Sequence, residues 1–182
     1  MIQIREEELI KSCIRGDSKS QRLLYNTYVK QMYGICLRYA KSTDDAKDML
    51  QDGFVKVFTK LHQFGFNGSF EGWLKRIFIN TALLHYRDQK KHMYHEDVYE
   101  QSAIEYSDFT IEKISVKELL LAMQELAIGY RTVLNLYVVE GYSHAEIAEM
   151  LGVSEGTSKS QLSRARVLLV EILKKRNIIN DR

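Results

Sequence analysis

The amino-acid sequence predicts an all-α protein of two small helical domains joined by a flexible acidic linker, with a helix-turn-helix in the C-terminal one. Three observations predict it. Apolar residues recur at three- and four-residue steps through several windows, and no stretch alternates as a half-buried strand does. Proline is absent from all 182 residues, so no ring interrupts a long helix. Between Asp88 and about Thr110 the periodicity fails and the composition turns polar and acidic. The expected divisions are 1–90, 91–110 and 111–182.

Taken in order, Glu6–Arg15 reads as a short amphipathic helix ended by Gly16. Ser18-Lys19-Ser20-Gln21 reads as a capping box that opens a helix to about Lys41. Its apolar stripe is Leu24, Tyr28, Met32, Ile35, Cys36 and Tyr39. After a stop at Ser42-Thr43, Asp44 to about Gln63 repeats the pattern with Ala46, Met49, Leu50, Phe54, Val57, Phe58 and Leu61. Phe64–Ser69 is a loop bearing two glycines. The next helix starts near Phe70 or Glu71 and runs to Arg87, with Trp73, Leu74, Ile77, Phe78 and Leu84 facing a core. Beyond the linker, helices are expected over Ile111–Leu126 and Tyr130–Val139.

The stretch from Tyr142 to Lys175 is the most informative. Ser143-His144-Ala145-Glu146 reads as a capping box. Ala148 is small where two helices cross, Gly152 supplies the left-handed backbone of a turn, and Val153 tucks beneath it. Ser154 is then the N-cap of a basic helix. Thr157, Lys159, Ser160, Gln161, Ser163, Arg164 and Arg166 on that helix suit phosphate oxygens and base edges in a major groove. The blander alternative, an ordinary helical hairpin with a solvated basic face, carries less weight.

Apolar residues make up 45% of the chain and the formal net charge is only +2, but charge is segregated. Residues 156–176 hold six Lys/Arg against Glu171, whereas residues 93–112 hold six acids and no Lys or Arg. A basic helix facing nucleic acid and an acidic segment facing a basic partner follow. No signal peptide or bilayer-length apolar run is evident, which points to the cytoplasm. Cys13 and Cys36 fit no metal-ligand spacing and are expected reduced and partly buried. His92, His95, Glu96 and Asp97 match no trusted metal pattern either and read as solvated, so no metal, cofactor or small-molecule substrate is expected.

Two further sites follow from side-chain chemistry. Asp44, Asp45, Asp48 and Asp52, with Gln51 beside them, put acids on neighbouring helical turns, a face suited to a basic helical partner. A solvated face with acids at a helix N-terminus is the competing reading. In the glycine loop, Phe64 or Phe66 can wall a pocket for one base, and Asn67 and Ser69 can read its edge. Trp73, Arg76, Asn80 and Arg87 continue along the following helix, with the Trp73 ring mainly core and its edge available to DNA.

Four stretches together resemble the sigma factors of the extracytoplasmic-function type in the sigma-70 superfamily, over about Leu24–Leu173. Asp44–Phe54 is similar to the family's polymerase-docking helix, and Phe70–Asn80 to its promoter-melting helix. Tyr130-Arg131-Thr132-Val133 with Gly141-Tyr142-Ser143 is similar to the entry of its C-terminal domain, and Gly156–Arg166 to its recognition helix. The resemblance implies a non-enzymatic subunit that binds core RNA polymerase and promoter DNA and directs promoter recognition, melting and initiation. It implies that the acidic helix docks on the polymerase clamp coiled coil. It implies that the aromatic loop and following helix hold the minus-ten strand, and that Ser154, Thr157, Lys159, Ser160, Gln161, Ser163 and Arg164 meet the minus-thirty-five duplex. An anti-sigma factor, often tethered to the inner membrane, is the family's usual control. The acidic linker then either threads a positive channel of the polymerase, as nascent RNA does, or has no defined role.

Three positions depart from the family's pattern. Ala127 stands where proline is common. Ser158 replaces an aliphatic residue, and its hydroxyl is expected to bond a backbone carbonyl one turn back. Gln161 stands where Arg is frequent. Two rival functions lack what they need. A self-sufficient duplex-binding regulator needs a dimer face that no heptad supplies. A nucleic-acid enzyme needs a nucleophile–base pair or a carboxylate cluster that is not evident.

Overall fold

The structure is a computed structural model in which residues 2–92 and 114–179 are described. Among the described residues every regular element is helical. They are α1 (Ile2–Ile14), α2 (Ser18–Tyr39), α3 (Thr43–Lys60) with a 3-10 turn at Leu61–Gln63, and α4 (Phe70–His92). After the undescribed residues come α5 (Val116–Glu125), α6 (Ile128–Leu134) running into a π turn at Asn135–Val139, α7 (His144–Leu151) and α8 (Glu155–Lys175). The chain divides into two compact units, Met1–Leu84 and His85–Arg182. Most of the expected acidic linker, with His95, Glu96 and Asp97, lies outside the described residues. No described helix is long and apolar enough to cross a membrane.

Several helix ends differ from expectation for local reasons. The cap of α2 is Asp17, not Ser18: its carboxylate accepts the Ser20 amide at 2.8 Å. An ionised oxygen one residue upstream is the stronger acceptor for that amide, and hydrogen bonds from the Ser20 hydroxyl and amide hold the Asp17 carboxyl below its ordinary range. Gln21, freed from the expected box, donates to the Cys13 carbonyl at 3.3 Å. Helix α4 continues to His92, five residues past Arg87, because its polar last turns contain no glycine or proline to stop them. Helix α5 starts at Val116 because Ser115 and Glu118 form a capping box there.

In the first unit the expected stripes of α2 and α3 meet α4. Leu24, Met32, Cys36, Ala46, Val57, Leu74 and Phe78 are all fully buried, and each large apolar side chain so removed from water contributes about 1.5–3 kcal/mol. Phe54 is the hub, 4.6 Å from the Tyr25 ring and 5.3 Å from Phe78. Leu84 does not join them and is 44% exposed. Leu83, about 100° round the helix from it, takes the inward place. Both cysteines are free and buried. Burial raises the Cys13 thiol and pushes Cys36 up to about 12.

In the second unit, α5, α6 and α8 enclose Met123, Val133, Leu136, Leu162 and Ala165, with Ile147 and Leu151 of α7 also buried. Arg131 is only 1% exposed. Its guanidinium donates to the Gln124 carbonyl at 3.0 Å, covering a carbonyl of the last turn of α5. The Asn135 amide donates to the Arg131 carbonyl at 2.9 Å. The π turn follows, closed by Glu140 N–H to the Asn135 carbonyl at 3.0 Å.

Candidate nucleic-acid and polymerase interfaces

The acidic face lies on the first half of α3. Ser42 caps the helix by accepting the Asp45 amide at 3.1 Å, so the acids crowd a positive helix terminus. Asp44, Asp48, Gln51 and Asp52 are exposed and Asp45 is half-buried. Residues 44, 45, 48, 51 and 52 share one face at steps of three and four. Lys47 donates to Asp44 at 2.8 Å and holds that carboxyl below its usual range. Sequence reading missed Val55, which is exposed one turn beyond Gln51 and Asp52 and adds apolar surface to the face. A single outward Val in an inward apolar pattern was the available signal.

The aromatic loop is built around Phe64. Its ring lies 5.1 Å from Phe66, 5.1 Å from Phe70 and 5.6 Å from Trp73. Phe64 is 8% exposed, so it is the floor of the loop and does not present a ring to solvent. Phe66 does, at 37% exposed, and it sits at φ +56°, a left-handed conformation uncommon for so bulky a residue. Such backbone strain clusters at binding sites. The Lys11 ammonium stands 5.5 Å from the centre of the Phe66 ring.

Asn67 is exposed. Ser69 is exposed too, but its hydroxyl is engaged: it accepts the Gly72 amide at 3.2 Å as the cap of α4. A Ser followed by an apolar helical run was signal enough for that role. Trp73 is half-buried, its ring stacked on Phe70 at 5.6 Å. Arg76 and Asn80 are exposed, at a helical step of four that puts them on one face. Arg87, in the second unit, is exposed too, but its guanidinium donates to the Met150 carbonyl at 2.8 Å.

In the second unit the helix-turn-helix has the expected local chemistry. Ser143 and Glu146 close a capping box, Gly152 ends α7 at φ +65°, and Ser154 caps α8. Hydrogen bonds from Ser143 hold the Glu146 carboxyl below its ordinary range. Thr157 and Ser154 hydroxyls pair at 2.8 Å, and the Ser160 hydroxyl donates to the Thr157 carbonyl at 3.0 Å. Lys159 and Ser163 are exposed, while Arg164 is half-buried. Lys159 lies 3.6 Å from Glu155, an exposed pair worth little and easily exchanged for a phosphate.

Gln161 is turned away from the outer face. Its amide nitrogen lies 3.3 Å from where a Cβ on Gly129 would stand, so it packs against α6. Ser158 also differs: its hydroxyl meets Nδ1 of His144 at 2.9 Å, not the expected carbonyl. Arg166, whose charge suits phosphate, lies 6.0 Å over the Tyr137 ring.

Comparison with known proteins matches two family models, sigma-70 region 2 over residues 24–92 and sigma-70 region 4 over residues 117–169. The ECF RNA polymerase sigma-E factor of Escherichia coli (strain K12) is 30% identical over 179 residues, covering 90% of this chain and 92% of that protein. The ECF RNA polymerase sigma factor SigM of Mycobacterium tuberculosis (H37Rv) is 29% identical over 170 residues, covering 92% of this chain and 84% of that protein. Among solved structures, the sigma factor RpoE from Bartonella quintana, in complex with the anti-sigma factor NepR, aligns with TM-score 0.52 at 22% identity. That alignment covers 84% of this chain and 96% of the other, a likeness of fold.

Proposed function

The chain belongs to the extracytoplasmic-function sigma factors of the sigma-70 family, and from that premise we propose how its residues divide the work. The protein directs RNA polymerase to promoters and to transcription initiation, and it catalyses no reaction itself. It acts in the cytoplasm, where polymerase and promoter meet.

In our reading, Asp44, Asp45, Asp48, Gln51 and Asp52 dock on a basic helical part of core polymerase, with Val55 adding apolar contact. Phe66, Asn67 and Ser69 hold one extruded base above the Phe64 floor, each base–ring stack contributing about 1–3 kcal/mol. Trp73, Arg76, Asn80 and Arg87 follow the same unpaired strand along α4. Lys159, Arg164 and Ser163 meet the upstream duplex, with Ser154, Thr157 and Ser160 toward phosphate near the positive end of α8. Gln161 steadies α8 on α6. An anti-sigma factor covers the polymerase-docking surface when the protein is idle. The observation that supports this division is that the described residues expose three chemistries: the acids Asp44, Asp48 and Asp52 on α3, the Phe66 ring with Asn67, Arg76 and Asn80 at the start of α4, and Lys159 with Ser160 and Ser163 on α8.

The test is open-complex formation by core polymerase on a candidate promoter, with and without the protein, and with Arg164→Ala. The protein should create open complexes, and Arg164→Ala should weaken promoter-duplex binding while leaving core-polymerase binding intact. Transcription unchanged by the protein, with tight binding to duplex DNA alone, would instead favour a self-sufficient regulator.

A further inference from the structure

Ser158 is the polar exception in the inward stripe of α8. Leu162, Ala165 and Leu173 share its face and are buried, and Ser158 itself is 0% exposed. A hydroxyl withdrawn from water needs a partner, and His144 at the start of α7 supplies one, Nδ1 to Oγ at 2.9 Å. The His144 ring lies nearly flat on Tyr137, centroids 4.4 Å apart and planes 21° from parallel. Arg166 stands over that same Tyr137 ring. Two points of α8, about 12 Å apart along its axis, are therefore joined by one run of contacts: Ser158, His144, Tyr137, Arg166. Apolar burial sets which face of α8 turns inward, but being non-directional it leaves the fine rotation of the helix loosely defined. A hydrogen bond is directional and weakens steeply when bent.

We propose that His144 is a positioning residue for duplex reading: its bond to Ser158 sets the rotation of α8, and so where Lys159, Ser163 and Arg164 point. The proposal rests on the reading of α8 as the helix that meets the upstream duplex. Without the bond, α8 still carries its charge but presents it at a less defined angle. Sequence discrimination then falls while general attraction to DNA stays.

The experiment uses holoenzyme assembled from core polymerase and the full chain. Its affinity is measured for a duplex fragment carrying an upstream element selected on the wild-type holoenzyme, and for the same fragment with that element scrambled. His144→Phe keeps a ring on Tyr137 but no hydrogen bond, and should lower the cognate-to-scrambled ratio by about 3–10-fold. His144→Asn keeps a polar atom near the place of Nδ1 and should hold the ratio to within about twofold, the bond being retained. The salt dependence should match wild type in both, since no phosphate contact is removed. Equal ratios for Phe and Asn, or an unchanged ratio for Phe, would overturn the proposal. Should His144→Phe fail to fold, Ser158→Ala makes the same test. It should lower the ratio as Phe would, and no drop would overturn the idea. Arg164→Ala runs in parallel. If it lowers the ratio and His144→Phe does not, only the positioning role falls; if neither does, the duplex reading falls and takes this proposal with it.

Discussion

A methyl group on Gly53 would stand 2.2 Å from Cε1 of Phe78, far inside contact distance. The α3 backbone has come close enough to α4 for that ring to occupy the space of a side chain. Alanine is the better helix former by about 0.8–1 kcal/mol, yet overpacking costs about 1–3 kcal/mol. Gly53→Ala is therefore expected to destabilise the first unit, read as a lower denaturant midpoint. Gly34 in α2 has nothing within 4 Å of a built Cβ, so Gly34→Ala should raise the midpoint by about 0.5–1 kcal/mol of stability.

Phe64 and Phe66 should separate by assay. Phe64→Ala empties a buried site and should cost about 3–5 kcal/mol of stability, visible in thermal unfolding. Phe66→Ala relieves a strained backbone position little and removes an outward ring. It should leave unfolding nearly unchanged while lowering open-complex formation by about 1–3 kcal/mol. Undiminished open-complex formation by a folded Phe66→Ala protein would shift the base pocket elsewhere.

Ala127 already has a backbone that proline imposes: φ is −55°, and Leu126 before it has ψ +142°. Ala127→Pro should therefore stabilise the second unit by about 0.4–1 kcal/mol by restricting the unfolded chain. Differential scanning calorimetry would register it as a raised transition temperature.

Acid should loosen the starts of α5 and α7. Glu118 and Glu146 are held below their ordinary pKa by hydrogen bonds from Ser115 and Ser143. Each carboxyl thus binds its proton less tightly folded than unfolded. The stabilising contribution is complete above the unfolded value, near pH 4.3 for Glu, and is lost as pH falls through the lower folded value. Glu146→Gln should flatten that acid limb in unfolding curves taken below about pH 5.

What could be read from sequence was whatever local chemistry decides. Ser143, Glu146, Gly152 and Ser154 announce their helix ends because caps work over three residues, and the stripes of α2 and α3 announce a core because burial repeats with the turn. What could not be read depends on partners distant in sequence. Phe64 was open to a place on the surface because the rings that cover it, Phe70 and Trp73, come from the next helix. Local sequence points the Ser158 hydroxyl to a carbonyl one turn back, because nothing local signals a histidine fourteen residues upstream. The π turn escaped because its apolar run, Leu136 to Val139, fits an ordinary helix equally well. Asp17 took the cap of α2 because a charged oxygen outcompetes the hydroxyl beside it.

The sealed thiol of Cys36 makes the first unit its own stopwatch. Burial pushes this thiol up to about 12, so the nucleophilic thiolate is far scarcer at neutral pH than in an open cysteine. Alkylating reagents therefore see this sulfur when the α2–α3 packing comes apart and hardly before. Its labelling rate in a living cell would time how often the bundle opens, and the same shelter spares it the oxidative chemistry that exposed thiolates undergo.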